Sequence, residues 1–438
     1  MNDKTKETNT RNNFPDWLTD ESKVNELKFC QYFTGIHPLK CIDGRFYDFD
    51  GLVGENSLEN EIYQLLRLGI STGLAKRTSN LLESLRLYAY SQPVKPDLEY
   101  IHVQNGKLDL KGNFYPYKEF CGNRLNIWYD PEIRKGVYYP EKFLSFLLEL
   151  LDPKDIDTLQ EYLGYLLIPS TKGQKMMFII GQGGEGKSRI AIVLREIFGD
   201  SMITGNFQRI ETDKFFRYNL KDKLLMIDDD MQMSALPSTG YIKSLVTAEV
   251  PTDIEAKGKQ SEQSLLYTRL LCFGNGSPKA LYDKSKGFSR RMLIITVKPK
   301  SPNRIDDPHI ADKFIAEKDK IFCWIYDGLI RLINNNYKFT ISEKAKLNIK
   351  EAVQDNCNIA DFLSDSDRTA FGANISVSSS RLYNAYYAWC EDNALTALKR
   401  DTFISWIKQN ETDYNIKYDC NIPNGNSHVR GFKGIAVK

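Results

Sequence analysis

The chain has little histidine and no paired cysteine. Its 438 residues include 4 histidines and 8 cysteines, and no two cysteines have the C-x-x-C spacing of a zinc ribbon or a redox pair. Thiols scattered from Cys30 to Cys420 read as reduced side chains, which points to a cytoplasmic protein. No run of about 18 apolar residues occurs, so no membrane-spanning helix is expected. Met1 to Asn13 is polar and lacks the apolar core of a secretory signal. Net charge is only +2, which excludes a uniformly basic surface. Any attraction for a polyanion must therefore be local. Internal repeats are absent as well.

An apolar fraction of 42% can fill real cores, and the length suggests about two to four domains. Residues 1–20, rich in Asn, Thr and Lys, read as a disordered leader. Residues 21–130 mix helix and strand. Leu65, Leu66, Ile70, Leu74, Leu81, Leu82 and Leu85 recur at helical spacing, and Asn105-Gly106 marks a hairpin between two short strands. From 131 to 363 strands alternate with helices, the pattern of an α/β domain whose parallel sheet is covered by helices. Residues 364–380 have linker composition. Residues 381–438 read as a small terminal module of two helices and short strands.

Gly181-Gln182-Gly183-Gly184-Glu185-Gly186-Lys187-Ser188 fits G-x-x-x-x-G-K-[ST], between an apolar strand (176–180) and a helix that opens at Arg189. Such a loop turns backbone N–H groups toward phosphates, and the helix N-terminus adds positive potential. Gly181, Gly183, Gly184, Glu185, Gly186, Lys187, Ser188 and Arg189 are thus expected to hold ATP. Lys187 would reach the β- and γ-phosphates, and Ser188 would ligate Mg²⁺. Leu224-Leu225-Met226-Ile227 then runs into Asp228-Asp229-Asp230. A buried strand carries carboxylates at its end only where a cation or water compensates them. Asp228 is assigned to Mg²⁺ and Asp229 to the general base, with Asp230 leaving room for a shift of one. A second apolar strand, 270–273, ends at Asn275, whose amide is a candidate contact for the γ-phosphate and the attacking water. Arg290 and Arg291 precede a further strand. Either can act as an arginine supplied across a subunit interface, and Arg290 is the first candidate.

Between Ile254 and Lys300 the local charge excess is +7, against +2 for the whole chain. Lys257 and Lys259 sit at what reads as a hairpin tip, suited to holding the phosphates of a single strand.

Taken in order, these motifs resemble the superfamily 3 helicases, AAA+ motors of viruses, phages and plasmids. Lys243-Ser244-Leu245-Val246-Thr247-Ala248-Glu249 and the segment 254–259 resemble that family's motif between acidic strand and sensor. The family's Gly-Gly-Asp is replaced here by Ala248-Glu249-Val250. Val103 to Asp109 and Asn123 to Pro131 are similar to the associated domain of phage and poxvirus-type primase-helicases. Leu382 to Trp389 and Val429 to Gly434 are similar to the winged-helix tail of that group. Overall the chain most resembles replication initiator helicases of bacterial pathogenicity islands.

The resemblance implies an AAA+ P-loop core between a helicase-associated domain and a winged-helix DNA-binding domain. It further implies a homo-hexamer that moves on single-stranded and forked DNA and binds origin duplex. Lys257 and Lys259 would line the channel. Helix 402–409 would enter a major groove, with Arg430 and Lys433 on the backbone. The rival expectations are a remodelling ATPase without helicase activity and a nucleotide-gated origin scaffold.

Overall fold

In a computed structural model of the protein, the described residues are 15–18, 23–136, 139–231, 239–258, 260–276, 286–304, 306–354, 358–393, 395, 397–424 and 427–438. Met1 to Asn13 and Lys259 lie outside them.

The centre is a five-stranded sheet in which every neighbouring pair is parallel. In chain order its strands are β1 (Met176–Gly181), β2 (Met202–Thr204), β3 (Leu225–Met231), β4 (Arg269–Asn275) and β5 (Met292–Thr296). Their spatial order is β5-β1-β4-β3-β2. Strands β1, β4 and β5 are buried almost throughout, which is why they read as unbroken apolar runs. Along β1, Met177 and Ile179 pack on one side, while Met176, Phe178 and Ile180 pack on the other.

Helices on the first face include α1 (Pro153–Tyr165), α2 (Ser188–Phe198) and α3 (Lys318–Asn334). Asp152 caps α1 by accepting from the Lys154 N–H, and Pro153 takes the first helical position, where no N–H is needed. Glycine lets α1 and α3 approach closely. A Cβ on Gly164 would sit 2.3 Å from the Leu329 nitrogen, and one on Gly328 would sit 2.3 Å from the Gln160 oxygen. Between them the buried Glu161 carboxylate accepts from Arg331 Nε at 2.7 Å and from the Thr340 N–H at 2.6 Å.

Toward the N-terminus, helices Glu26–Ile36, Glu55–Leu66 and Leu74–Tyr88 share a core with a small antiparallel sheet. Trp17 lies in that core, edge-on to Phe29, so the expected leader stops short of residue 20. The hairpin expected at Asn105-Gly106 is present, with Tyr100–Val103 antiparallel to Gly106–Asp109. Its Ile101, Val103 and Leu108, with Leu125, Ile127 and Tyr129, belong to the central core, so packing does not break at residue 130.

The largest difference from the sequence reading falls on 364–380. Composition suggests a linker there, yet Thr369–Ser378 is a strand antiparallel to Ser427–Val437. Helix Asn358–Ser364 supplies Ile359, Phe362 and Leu363 to the same terminal core. The terminal unit is thus helix, strand, α4 (Ser379–Asp392), α5 (Arg400–Gln409), the one-turn helix Glu411–Tyr414 and the hairpin Lys417–Asn424/Ser427–Val437. Among the described residues no helix is long and apolar enough to cross a membrane.

Candidate nucleotide site

Strand β1 ends at Gly181, and the chain turns back into α2 through three glycines in the left-handed region, Gly183, Gly184 and Gly186 (φ 109°, 82° and 96°). The turn points its N–H groups inward, and a carboxylate already stands among them. Glu185 accepts from the N–H of Gln182 at 2.5 Å and of Gly183 at 3.0 Å, and from Lys187 Nζ at 2.7 Å. Burial alone would raise the Glu185 pKa. The Lys187 ammonium and the loop N–H groups outweigh that and hold it down to about 2.

Lys187 Nζ also donates to Asn275 Oδ1 at 3.0 Å. The register accounts for this contact. Asn275 is the last residue of β4 and pairs with Gly181 across the sheet, and the Gly276 N–H donates to the Gly181 carbonyl at 2.7 Å. The structure therefore joins Lys187 to Asn275, two residues singled out separately in the sequence.

The acidic triplet needs a correction. Asp228 turns away from the cleft. It is buried, and its carboxylate accepts the Phe207 N–H at 2.6 Å. Burial raises its pKa. It lies on the strand face that also buries Met226, whereas Asp229 and Asp230 line the cleft. A bulge separates the pairing Asp228 with Cys272 from Met231 with Gly274, which frees both following carboxylates.

The cleft has a volume of 1260 Å³ and also holds Ser188, Arg189 and Asn275. Its other wall is built from helix Glu141–Leu150, Arg304 and residues 306–313. Arg304, which the sequence did not mark, donates Nη1 to the Glu185 carbonyl at 2.8 Å. Its Nε lies 3.6 Å from Asp306, and its guanidinium lies 6.0 Å from the Phe146 ring. No motif surrounds it; the only local hint is the basic, proline-broken stretch after β5.

The remaining candidates lie apart from the cleft. Arg290 is exposed just before β5, where Met292 pairs with Met176 at the start of β1. The loop is at the other end of β1, roughly 17 Å away at the usual rise per strand residue. Lys257 is exposed in the turn of the hairpin Thr252–Ile254/Glu262–Ser264. In the terminal unit Arg430 is exposed, but Lys433 pairs with Asp419 at 2.5 Å.

A model of DUF5906, a family of unknown function, matches residues 179–291, from β1 to the arginine pair and well under half of the chain. No curated protein matches. Among solved structures, the A form apo structure of the NrS-1 C-terminal region is 13% identical, with 93% of this chain and 98% of that one covered and a TM-score of 0.50. Another apo structure of that region is also 13% identical, with 90% and 92% covered and a TM-score of 0.47. At this identity the likeness concerns the fold: a parallel sheet flanked by helices, with units on either side.

Proposed function

We propose that this chain is an AAA+ motor of the superfamily 3 helicase type. In this reading it hydrolyses ATP to unwind DNA and serves as replication initiator of a mobile genetic element. The observation that carries the ATP part is the Lys187–Asn275 contact at 3.0 Å, in a cleft that also holds Ser188, Asp229 and Asp230. Because β4 lies between the loop strand and the acidic strand, Asn275 stands between the phosphate donors and the carboxylates.

The chemistry is in-line hydrolysis of the terminal phosphoanhydride. Lys187 and the loop N–H groups hold the β- and γ-phosphates, Asn275 orients a water, and Asp229 or Asp230 takes its proton as oxygen attacks phosphorus and ADP leaves. Mg²⁺, when bound, neutralises charge on the phosphate oxygens. The all-oxygen donor set of Ser188 and the Asp229 or Asp230 carboxylate suits that hard cation. Arg290 cannot reach this cleft from its own subunit, so its role requires a neighbour in a ring, for which a hexamer is the expected form.

Lys257, with Lys259 beside it, would hold single-stranded DNA in the channel by its phosphates. The terminal unit's order of helix, strand, two helices and hairpin supports a winged-helix origin binder, with α5 in the groove and Arg430 on the backbone. Lys433 contributes less, because Asp419 already neutralises it.

Strand displacement on forked DNA tests the reading. Wild type should hydrolyse ATP and unwind, Lys187→Ala should do neither, and Lys257→Ala should hydrolyse but unwind poorly. ATP hydrolysis without displacement on forks of either polarity would leave a remodelling ATPase or an origin scaffold instead.

A further inference from the structure

The cradle of the phosphate loop is filled by an anion of the chain itself. Glu185 is 2% exposed, and its carboxylate engages the Gln182 and Gly183 N–H groups and Lys187 Nζ together. Those are the donors a nucleotide phosphate needs. Two anions cannot share them, because close like charges in a weakly solvated site repel strongly.

We infer that Glu185 is an internal competitor for the phosphate cradle, a residue that sets nucleotide affinity and promotes product release. The inference rests on the nucleotide-site reading above. Nucleotide entry is then an exchange of anions, in which the carboxylate leaves as a phosphate arrives. Lys187 keeps a counter-ion in both states, so the ammonium is never buried alone, which would be costly. The loop is built to allow the exchange. Nothing lies within 4 Å of the position a Cβ would take on Gly184, so the backbone beside Glu185 has room to move. A cation stands ready for the displaced carboxylate, since Arg304 lines the same cleft, bonds the Glu185 carbonyl and makes only a long 3.6 Å contact with Asp306. After hydrolysis the competition favours release. ADP has fewer phosphate oxygens with which to hold Lys187, so the returning carboxylate displaces it more readily than ATP.

The test compares full-length wild type, Glu185→Gln, Glu185→Ala and Lys187→Ala by titration with a fluorescent ADP and a non-hydrolysable ATP analogue, and by stopped-flow release. Glutamine keeps the shape but removes the charge, and alanine removes the competitor if glutamine disturbs the loop. Both variants should bind ADP about tenfold more tightly, the scale of one charge-assisted hydrogen bond. ADP release should slow by a similar factor, and the gain for the ATP analogue should be smaller. If wild type binds nucleotide, Lys187→Ala does not, and both Glu185 variants bind ADP no more tightly, the competitor role is overturned while the nucleotide site stands. If wild type and the Glu185 variants all fail to bind, both readings fall.

Discussion

Alanine at Asp228 and at Asp229 should have opposite effects, and the contrast can be worked out from the structure. The Asp228 carboxylate is buried and accepts the Phe207 N–H at 2.6 Å. Truncation leaves that N–H without its partner, at a cost of about 1–3 kcal/mol. Part is recovered, because the same burial that raises the Asp228 pKa makes its charge unfavourable. The net loss is then about 1–2 kcal/mol, which lowers Tm by roughly 2–8 °C in a domain of this size. Hydrolysis should stay within about threefold of wild type, since the carboxylate does not line the cleft.

Asp229 and Asp230 are exposed at the cleft, so their alanine variants should melt within about 1–2 °C of wild type. At least one of them should lose about 10²-fold or more in kcat, the scale of losing one preorganised group at a reacting centre. Phosphate release under saturating Mg-ATP and scanning calorimetry on the same preparations give both numbers. The bulge geometry is refuted if Asp228→Ala loses hydrolysis a hundredfold with an unchanged Tm while Asp229→Ala and Asp230→Ala turn over normally.

Gly328→Ala drives a methyl group into the Gln160 carbonyl on α1, so a denaturant melt should show a loss of about 1–3 kcal/mol or more. Arg304→Ala removes the brace on the Glu185 carbonyl, and ATP-analogue titration should show affinity reduced about tenfold with little change in Tm. The Glu185 pKa, held down to about 2, lies below its ordinary 4.5, so the ion's stabilisation is fully present above pH 4.5 and is lost as pH falls toward 2. Denaturant melts of the nucleotide-free chain should accordingly show wild type more stable than Glu185→Gln by up to roughly 2–3 kcal/mol at pH 6, with the gap closing in that acid range. Arg290→Ala and Lys187→Ala, each inactive alone, should regain measurable ATPase when mixed, because a mixed interface can join an intact loop to an intact arginine; no recovery at any ratio counts against the trans assignment.

What the sequence disclosed depended on how local each constraint is. The glycine-rich motif is eight consecutive residues whose turn geometry lies in their own backbone, so the strand, turn and helix could be read directly. Asn275 was legible because an apolar run ending in a glycine-flanked amide marks a strand tip. The pairing of that tip with Gly181 was not legible, since register belongs to the sheet. The same limit explains Asp228: which carboxylate of three enters the cleft depends on a bulge between β3 and β4, set by pairing across some 45 residues. The serine-rich stretch before Arg381 read as a linker because most of its residues are polar. Its pairing with Ser427–Val437, which buries Thr369 and Val377, is invisible without the partner strand. Arg304 carries no motif and reaches the loop only because the chain after β5 folds back across the cleft.

Arg304 and Arg290 lie at opposite ends of the central sheet. Arg304 donates to the Glu185 carbonyl of the glycine-rich loop, while Arg290 is separated from that loop by the length of β1. Lys175, next to β1, holds the Arg290 carbonyl at 2.5 Å, so the segment bearing Arg290 is tied to the strand that ends in the phosphate loop. A change at one end of β1 therefore has a short covalent route to the other.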